Sequence, residues 1–86
     1  MESSTPSTIQ VWTKNDCVYC ELAKQVLDEH NAKFEEKIIG VTANRNDLLL
    51  ILPDAKTVPQ IFFDGKNIGG YTELMHLLNT GELKLG

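Results

Sequence analysis

Cys17 and Cys20, separated by two residues, are the two cysteines of the chain, so neither has a third cysteine with which to pair. Thiols at this spacing can close on each other as a disulfide. In disulfide exchange the thiolate is the nucleophile, and the partial positive charge of a helix N-terminus favours that form. Cys17 comes directly before a helix-like segment, and Lys14 places a cation nearby. We therefore predict a redox pair in which Cys17 attacks, while Cys20, one turn further and less exposed, resolves.

A zinc site and a purely structural disulfide can also have this cysteine spacing, but both fit the chain less well. A structural zinc ion takes four ligands, whereas His30 and His76 stand apart from each other and from the cysteines. A structural disulfide across so short a loop would remove little entropy from the unfolded chain. Redox chemistry is therefore the favoured hypothesis.

The composition indicates an ordinary globular protein. Its 86 residues suffice for one domain with a modest core, and with 42% hydrophobic and 23% charged residues the chain is not of the disordered class. The net charge of −4 gives no general attraction to nucleic acid or to an acidic membrane. The sequence shows neither a membrane-spanning apolar run nor a secretory signal. We expect a cytoplasmic protein, and in a reducing cytoplasm a cysteine pair is more often catalytic than structural.

The hydrophobic pattern predicts the elements that must position the cysteines. A strand at residues 8–13 precedes them, and a helix over residues 18–30 follows, with Asn31 as its stop. A second strand at residues 34–39 comes after that helix, so the first two strands should be parallel. Gly40 ends the second strand.

The second half of the chain continues in short elements. Asn44 or Asn46 should cap a second helix with its apolar face at residues 48–52, ended by Pro53 and Asp54. A strand at 60–63, a hairpin turn at Asp64-Gly65 and a returning strand at 66–68 come next. The last helix follows Gly69-Gly70, and its apolar positions are Leu74, Met75, Leu77 and Leu78. The predicted fold class is α/β with the order β-α-β-α-β-β-α, a four-stranded mixed sheet flanked by helices. We predict a flexible tail at residues 1–7 and a single domain over residues 8–86.

Three motifs in this order resemble the glutaredoxins. They are C-V-Y-C at residues 17–20, T-V-P-Q-I-F-F at 57–63 and I-G-G-Y-T-E at 68–73, and the resemblance covers nearly all of residues 8–78. It implies a thioredoxin-like fold and a glutathione-dependent oxidoreductase. Such an enzyme would reduce protein–glutathione mixed disulfides and protein disulfides through Cys17 and Cys20, in electron transport and cell redox homeostasis.

The same resemblance implies a glutathione site. The Val58–Pro59 bond would be cis, and Val58 would offer its backbone N–H and C=O to the tripeptide as an added strand does. The glycine carboxylate would meet basic residues, with Arg45 as a further candidate, and the γ-glutamyl end would meet the start of the last helix, where Gly69-Gly70 permits close approach. The predicted glutathione-binding residues are Lys14, Tyr19, Lys56, Thr57, Val58, Pro59, Gly70, Tyr71 and Thr72.

One departure from the family pattern keeps an alternative open. Val18 stands where many dithiol glutaredoxins have proline, which restores a backbone N–H and frees φ. C-V-Y-C is similar to the motif of small bacterial and bacteriophage glutaredoxins. The alternative hypothesis is a [2Fe–2S] carrier in which two subunits share a cluster through Cys17 and two glutathione thiolates. The usual carrier signature is C-G-F-S, so the oxidoreductase is favoured.

The resemblance also suggests partners. Besides glutathione, these are glutathionylated or disulfide-containing proteins, with ribonucleotide reductase as one candidate client. We expect a monomer that binds neither nucleic acid nor membrane. Reduction by thioredoxin reductase in place of glutathione is a third hypothesis, against which the predicted glutathione groove argues.

Overall fold

The computed structural model describes residues 8–85, so the predicted tail at 1–7 and Gly86 lie outside the described residues. The elements follow the predicted order: β1 (Ile9–Lys14), α1 (Val18–Glu29), β2 (Glu35–Ile39), α2 (Arg45–Ile51), β3 (Gln60–Phe63), β4 (Lys66–Gly69) and α3 (Tyr71–Thr80). Where a range is predicted, the observed ends lie within one residue of it. Among residues 8–85, no helix has the length and apolar character needed to cross a membrane.

The strands form one mixed sheet in the order β2-β1-β3-β4. The pair β1–β2 is parallel, as predicted, because α1 carries the chain back across the sheet. The pairs β1–β3 and β3–β4 are antiparallel, with Trp12 opposite Gln60. The end of β1 therefore lies beside the start of β3. This pairing brings the loop that contains Cys17 next to the loop that contains Val58.

Local capping explains where α1 begins and ends and where α2 begins. Cys17 is the N-cap of α1, and its side chain accepts a hydrogen bond from the Cys20 N–H. Asn31, just beyond α1, has φ = 58°, in agreement with its predicted role as the stop. Of the two candidate caps for α2, Asn44 is the one used. Its Oδ1 accepts the Asp47 N–H at 3.0 Å, while the Asp47 carboxylate accepts the Asn44 N–H at 3.1 Å.

Two apolar clusters hold the helices against the sheet. The larger cluster joins α1 and α3 to the strands and consists of Ile9, Val11, Ala23, Leu27, Ile61, Leu74, Leu83 and Leu85. The smaller cluster lies under α2 and consists of Trp12, Leu48, Ala55 and Phe62. Helices therefore cover both faces of the sheet, as predicted.

The predicted apolar face of α2 is wrong in part. Leu48 is buried, but Leu50 is 81% exposed and Ile51 is 52% exposed. A seven-residue helix makes only two turns, and consecutive residues on a helix point about 100° apart. An unbroken apolar run therefore cannot face the sheet along its whole length.

Candidate functional site

The two cysteines lie at the start of α1 in unequal environments. They are joined as a disulfide with a Cα–Cα distance of 5.2 Å. Cys20 has no exposed surface, whereas Cys17 is half-buried. The Cys20 N–H donates to Cys17 Sγ at 3.2 Å. Because an N–H directed at sulfur stabilises negative charge there, this helix start is suited to holding Cys17 as a thiolate once the disulfide opens.

The loop before β3 supplies the opposite side of the site. The carbonyl oxygen of Val58 lies 3.7 Å from Cys17 Sγ. The Val58–Pro59 peptide bond is cis, as the family resemblance implies. Gln60 holds this loop in place, since its Nε2 donates to the Thr57 carbonyl at 3.0 Å and its Oε1 accepts from Asn67 on β4 at 3.1 Å. Gln60 and Asn67 thus connect the Thr57–Val58 backbone to the sheet edge.

A groove of about 650 Å³ runs from Tyr19 on α1 to the start of α3, and we call it the ligand groove. Seven of the nine predicted glutathione-binding residues line it: Tyr19, Thr57, Val58, Pro59, Gly70, Tyr71 and Thr72. Tyr19 and Tyr71 both line the groove, and their rings are in contact. The ring centroids are 5.9 Å apart and the ring planes are tilted by 35°. This ring contact is not evident from the sequence, since the two tyrosines lie in the first and last helices of the chain.

The glycines before α3 serve the protein's own packing. A Cβ on Gly70 would lie 3.0 Å from the Pro59 carbonyl oxygen, and a Cβ on Gly69, which has φ = +103°, would lie 2.7 Å from Glu73 Cγ. Atoms of the protein itself therefore approach both glycines closely, and the approach of glutathione predicted for them stays a prediction. Glu73 Oε1 also accepts the Gly70 N–H at 2.7 Å, which places a carboxylate in the groove. The sequence signal for this contact is an acidic residue three positions after a helix cap.

The other two predicted residues lie in a second cavity, which we call the basic pocket. It has a volume of about 80 Å³, and its polar lining includes the exposed side chains of Lys14, Arg45 and Lys56. Three of the eight basic residues of the chain thus gather around a cavity whose lining contains no carboxylate. Thr57 and Val58 line both this pocket and the ligand groove, so the two cavities meet beside Cys17.

Cavity size alone does not identify the site. A larger cavity of about 750 Å³ lies at the start of β1, between Thr8, Phe34 and Ile51. Its lining contains none of the predicted glutathione-binding residues and does not include Val58, whose carbonyl oxygen lies 3.7 Å from Cys17 Sγ. Cys17 therefore lies beside the ligand groove and the basic pocket, both of which Val58 lines.

A charged network fixes α1 to the sheet. Glu36 Oε2 on β2 accepts hydrogen bonds from the buried Thr13 hydroxyl at 2.8 Å and from Lys24 Nζ at 2.9 Å. Lys24 also pairs with Glu21 at 3.0 Å. The hydrogen bond to Glu36 raises the Lys24 pKa against the effect of burial. Burial disfavours the charged form of Glu36, but the hydrogen bonds from Lys24 and Thr13 outweigh it and lower the Glu36 pKa.

Comparisons with known proteins agree with this geometry. The family model described as Glutaredoxin matches residues 9–68. Glutaredoxin 3 of Escherichia coli (strain K12) is 34% identical over 77 residues, which cover 90% of this chain and 93% of that protein. Glutaredoxin 1 of Rickettsia conorii is 36% identical over 85 residues, covering 96% and 83%.

Solved structures give the same result. Glutaredoxin 1 from Francisella tularensis, complexed with cacodylate, has a TM-score of 0.74 and 35% identity, with coverage of 87% of this chain and 95% of that chain. The buckwheat glutaredoxin–glutathione complex has a TM-score of 0.76 and 29% identity, with coverage of 87% and 71%.

Proposed function

Because this chain belongs to the glutaredoxin family and is a glutathione-dependent thiol–disulfide oxidoreductase, we propose that Cys17 is its attacking thiol and Cys20 its resolving thiol. The observation that carries this assignment is the asymmetry of the pair. Cys17 is half-buried and receives the Cys20 N–H, while Cys20 has no exposed surface. A substrate disulfide can therefore reach Cys17, whereas Cys20 needs to reach only Cys17.

With a glutathionylated protein as substrate, the Cys17 thiolate attacks the glutathione sulfur. The mixed disulfide breaks, Cys17 becomes glutathionylated, and the protein thiolate leaves and takes a proton from water. A second glutathione thiolate then attacks the glutathionyl sulfur on Cys17. Oxidised glutathione is released and the Cys17 thiolate is restored. This cycle does not use Cys20.

With a protein disulfide as substrate, the same attack leaves the client covalently bound to Cys17. Cys20 then attacks the Cys17 sulfur, which releases the second client thiol and forms the Cys17–Cys20 disulfide present in the structure. Two glutathione molecules reduce that disulfide and become one oxidised glutathione. Two electrons thus pass from glutathione to the client.

We further propose that the tripeptide lies along both cavities with its cysteine at Val58. The basic pocket would take the glycine carboxylate through Lys14, Lys56 and Arg45, since carboxylates form strong charge-assisted hydrogen bonds with such groups. Arg45 joins the set because it lines the same pocket. The γ-glutamyl end would meet Gly70, Tyr71 and Thr72, with Tyr19, Thr57 and Pro59 as the walls.

The proposed setting is a cytoplasmic monomer in cell redox homeostasis and electron transport. Its clients would be glutathionylated and disulfide-containing proteins, with ribonucleotide reductase as one candidate. Support comes from the dithiol site, which suits a reducing compartment. Cys20→Ser would trap clients on Cys17, so mass spectrometry of trapped complexes tests this proposal. Cys17→Ser, which cannot trap clients, gives the background. If Cys20→Ser recovers only the proteins that Cys17→Ser also recovers, the proposal is contradicted.

The cluster alternative receives no specific support. In it Cys17 would be the one protein ligand of each subunit, and the C-V-Y-C motif at residues 17–20 differs from the usual carrier signature C-G-F-S. Anaerobic purification with glutathione is the test. We expect a colourless monomer, whereas a coloured dimer that loses its colour in Cys17→Ser would favour the cluster.

A coupled turnover assay tests the proposed function. The protein is supplied with a glutathionylated peptide, glutathione, glutathione reductase and NADPH, and a parallel reaction contains thioredoxin reductase alone. We expect rapid NADPH oxidation in the first reaction. Turnover only in the second would show that glutathione is not the reductant.

A further inference from the structure

Tyr19 and Tyr71 belong to different helices but meet at the wall of the ligand groove. Tyr19 lies in the first turn of α1, two residues after Cys17, and Tyr71 is the first residue of α3. Their ring centroids are 5.9 Å apart with a tilt of 35°, a geometry within the favourable range for aromatic pairs. The contact joins the helix that carries Cys17 to the helix that begins at the far end of the groove.

The two rings are anchored unequally. Tyr71 is half-buried and packs against the larger apolar cluster, which includes the fully buried Leu74 of its own helix. Tyr19 is 59% exposed. A side chain fixed by the core can orient an exposed one, but an exposed side chain has little hold on a core-packed one. The contact therefore restricts Tyr19 more than it restricts Tyr71.

We propose that Tyr71 is a positioning residue whose ring holds the Tyr19 ring against the groove beside Cys17. The inference rests on the proposed function, in which the glutathionyl group lies in that groove. A free surface tyrosine samples several rotamers, and a ligand that packs against it must first order it. Because Tyr71 orders the ring beforehand, the glutathionylated substrate meets a preformed wall. The effect is on substrate binding. The Tyr71 backbone is the part that meets the γ-glutamyl end in the proposed function, whereas the Tyr71 ring acts through Tyr19 without touching the reacting sulfur atoms.

The kinetic test separates the ring from the packing. Tyr71→Leu keeps an apolar side chain against the core and removes the ring, so the KM for a glutathionylated peptide should rise about threefold to tenfold, with kcat changed less than about twofold. Tyr71→Phe retains the ring and should recover most of the lost affinity. His76→Ala, at an exposed position of the same helix, is the control and should keep the original KM.

A double-mutant cycle makes the test specific. In a Tyr19→Ala background, Tyr71→Leu should cause no further rise in KM, because the ring that it positions is gone. An equal rise in both backgrounds, or an unchanged KM in Tyr71→Leu, would overturn the inference. The cycle is repeated with Tyr71→Met, so that it does not depend on the folding of one variant.

A second readout does not depend on turnover. The ring protons of Tyr19, observed by NMR, should shift towards those of an exposed tyrosine in Tyr71→Leu but not in Tyr71→Phe. Unshifted Tyr19 resonances in Tyr71→Leu would overturn the inference while leaving the proposed function standing. A wild-type protein without glutathione-dependent turnover would instead overturn the proposed function.

Discussion

The basic pocket and the ligand groove meet at Val58 but present different chemistry to a ligand. The basic pocket has three exposed cations from separate segments: Lys14 at the end of β1, Arg45 at the start of α2 and Lys56 in the following loop. The ligand groove has a single carboxylate, Glu73, and otherwise uncharged side chains with two glycines at the start of α3. One end is thus suited to recognition by side-chain charge, and the other to recognition by shape and backbone groups.

This difference has consequences that can be measured. Interactions of exposed charges weaken as salt rises, because the screening length shrinks to about 10 Å at 0.1 M salt. Backbone hydrogen bonds and packing in a groove depend much less on salt. Substitutions at the two ends should therefore differ in their salt dependence even where they raise the KM to a similar extent.

The largest effect is expected at the point where the two cavities meet. Both cavities are proposed to hold a ligand whose sulfur reacts with Cys17. Cys17→Ser should therefore abolish reduction of glutathionylated peptides and of protein disulfides, with rates lower by at least about three orders of magnitude. Stopped assays with both substrates measure this. Residual turnover with either substrate would mean that a second sulfur can attack.

Cys20→Ser should separate the two substrates. Reduction of a protein disulfide should fall by about tenfold or more, because the client remains bound to Cys17 without a resolving thiol. Deglutathionylation should persist or increase, since the internal disulfide can no longer form. Kinetics measured in parallel with both substrates give the rate of protein-disulfide reduction relative to the rate of deglutathionylation. Equal loss of both activities would contradict the division of labour and indicate an obligatory dithiol mechanism.

Charge reversal tests the basic pocket. Lys14→Glu, Lys56→Glu and Arg45→Glu should each raise the KM for a glutathionylated peptide by about tenfold at low salt, because an attraction becomes a repulsion. The effect should shrink at high salt. Lys66→Glu is the matched control, since Lys66 is an exposed cation at the β3–β4 turn outside both cavities. An unchanged KM in all three variants would place the carboxylate elsewhere.

Gly70→Ala tests the ligand groove. The added Cβ would lie 3.0 Å from the Pro59 carbonyl oxygen, so the start of α3 must shift by a few tenths of an ångström. We expect the KM to rise about threefold, with the same ratio at low and high salt. If the ratio of the variant KM to the wild-type KM falls as salt rises, as expected for the basic pocket, the proposed difference between the two cavities is contradicted.

The smallest effect concerns the support of α1. Glu36→Gln removes the carboxylate charge that accepts hydrogen bonds from Lys24 and Thr13. It should lower the free energy of unfolding by about 1 kcal/mol at pH 7. The lowered pKa of Glu36 means that its contribution is complete above the ordinary value of 4.5 and is lost as pH falls through the folded-state value. Denaturant titrations should therefore show a smaller difference at about pH 3. Glu29→Gln, at an exposed position, is the control, and a pH-independent difference would contradict the assignment.

Much of the fold follows from the sequence because its signals are local. Alternation predicts β1, helical spacing predicts α1, and Asp64-Gly65 adopts the positive φ angles, 52° and 85°, that its hairpin turn needs. The error at Leu50 and Ile51 arises because a short apolar run does not reveal which side of a two-turn helix faces the sheet.

The residues of the site also differ in how far the sequence alone predicts them. The cysteines and the Val58–Pro59 segment are contiguous motifs, so the sequence alone indicates them. The ring contact of Tyr19 with Tyr71 and the hydrogen bonds of Glu36 to Thr13 and Lys24 join residues distant in the chain. Such contacts depend on the packing of helices against the sheet, which a single sequence does not specify.

The central claim is that Cys17 is the sulfur that accepts the glutathionyl group. The most direct measurement is mass spectrometry of Cys20→Ser after brief incubation with a glutathionylated peptide in the absence of free glutathione, followed by acid quenching and digestion. The account predicts one glutathionyl group, on the fragment that contains Cys17, formed as the peptide is released in reduced form. An unmodified Cys17 together with a still glutathionylated peptide would contradict it.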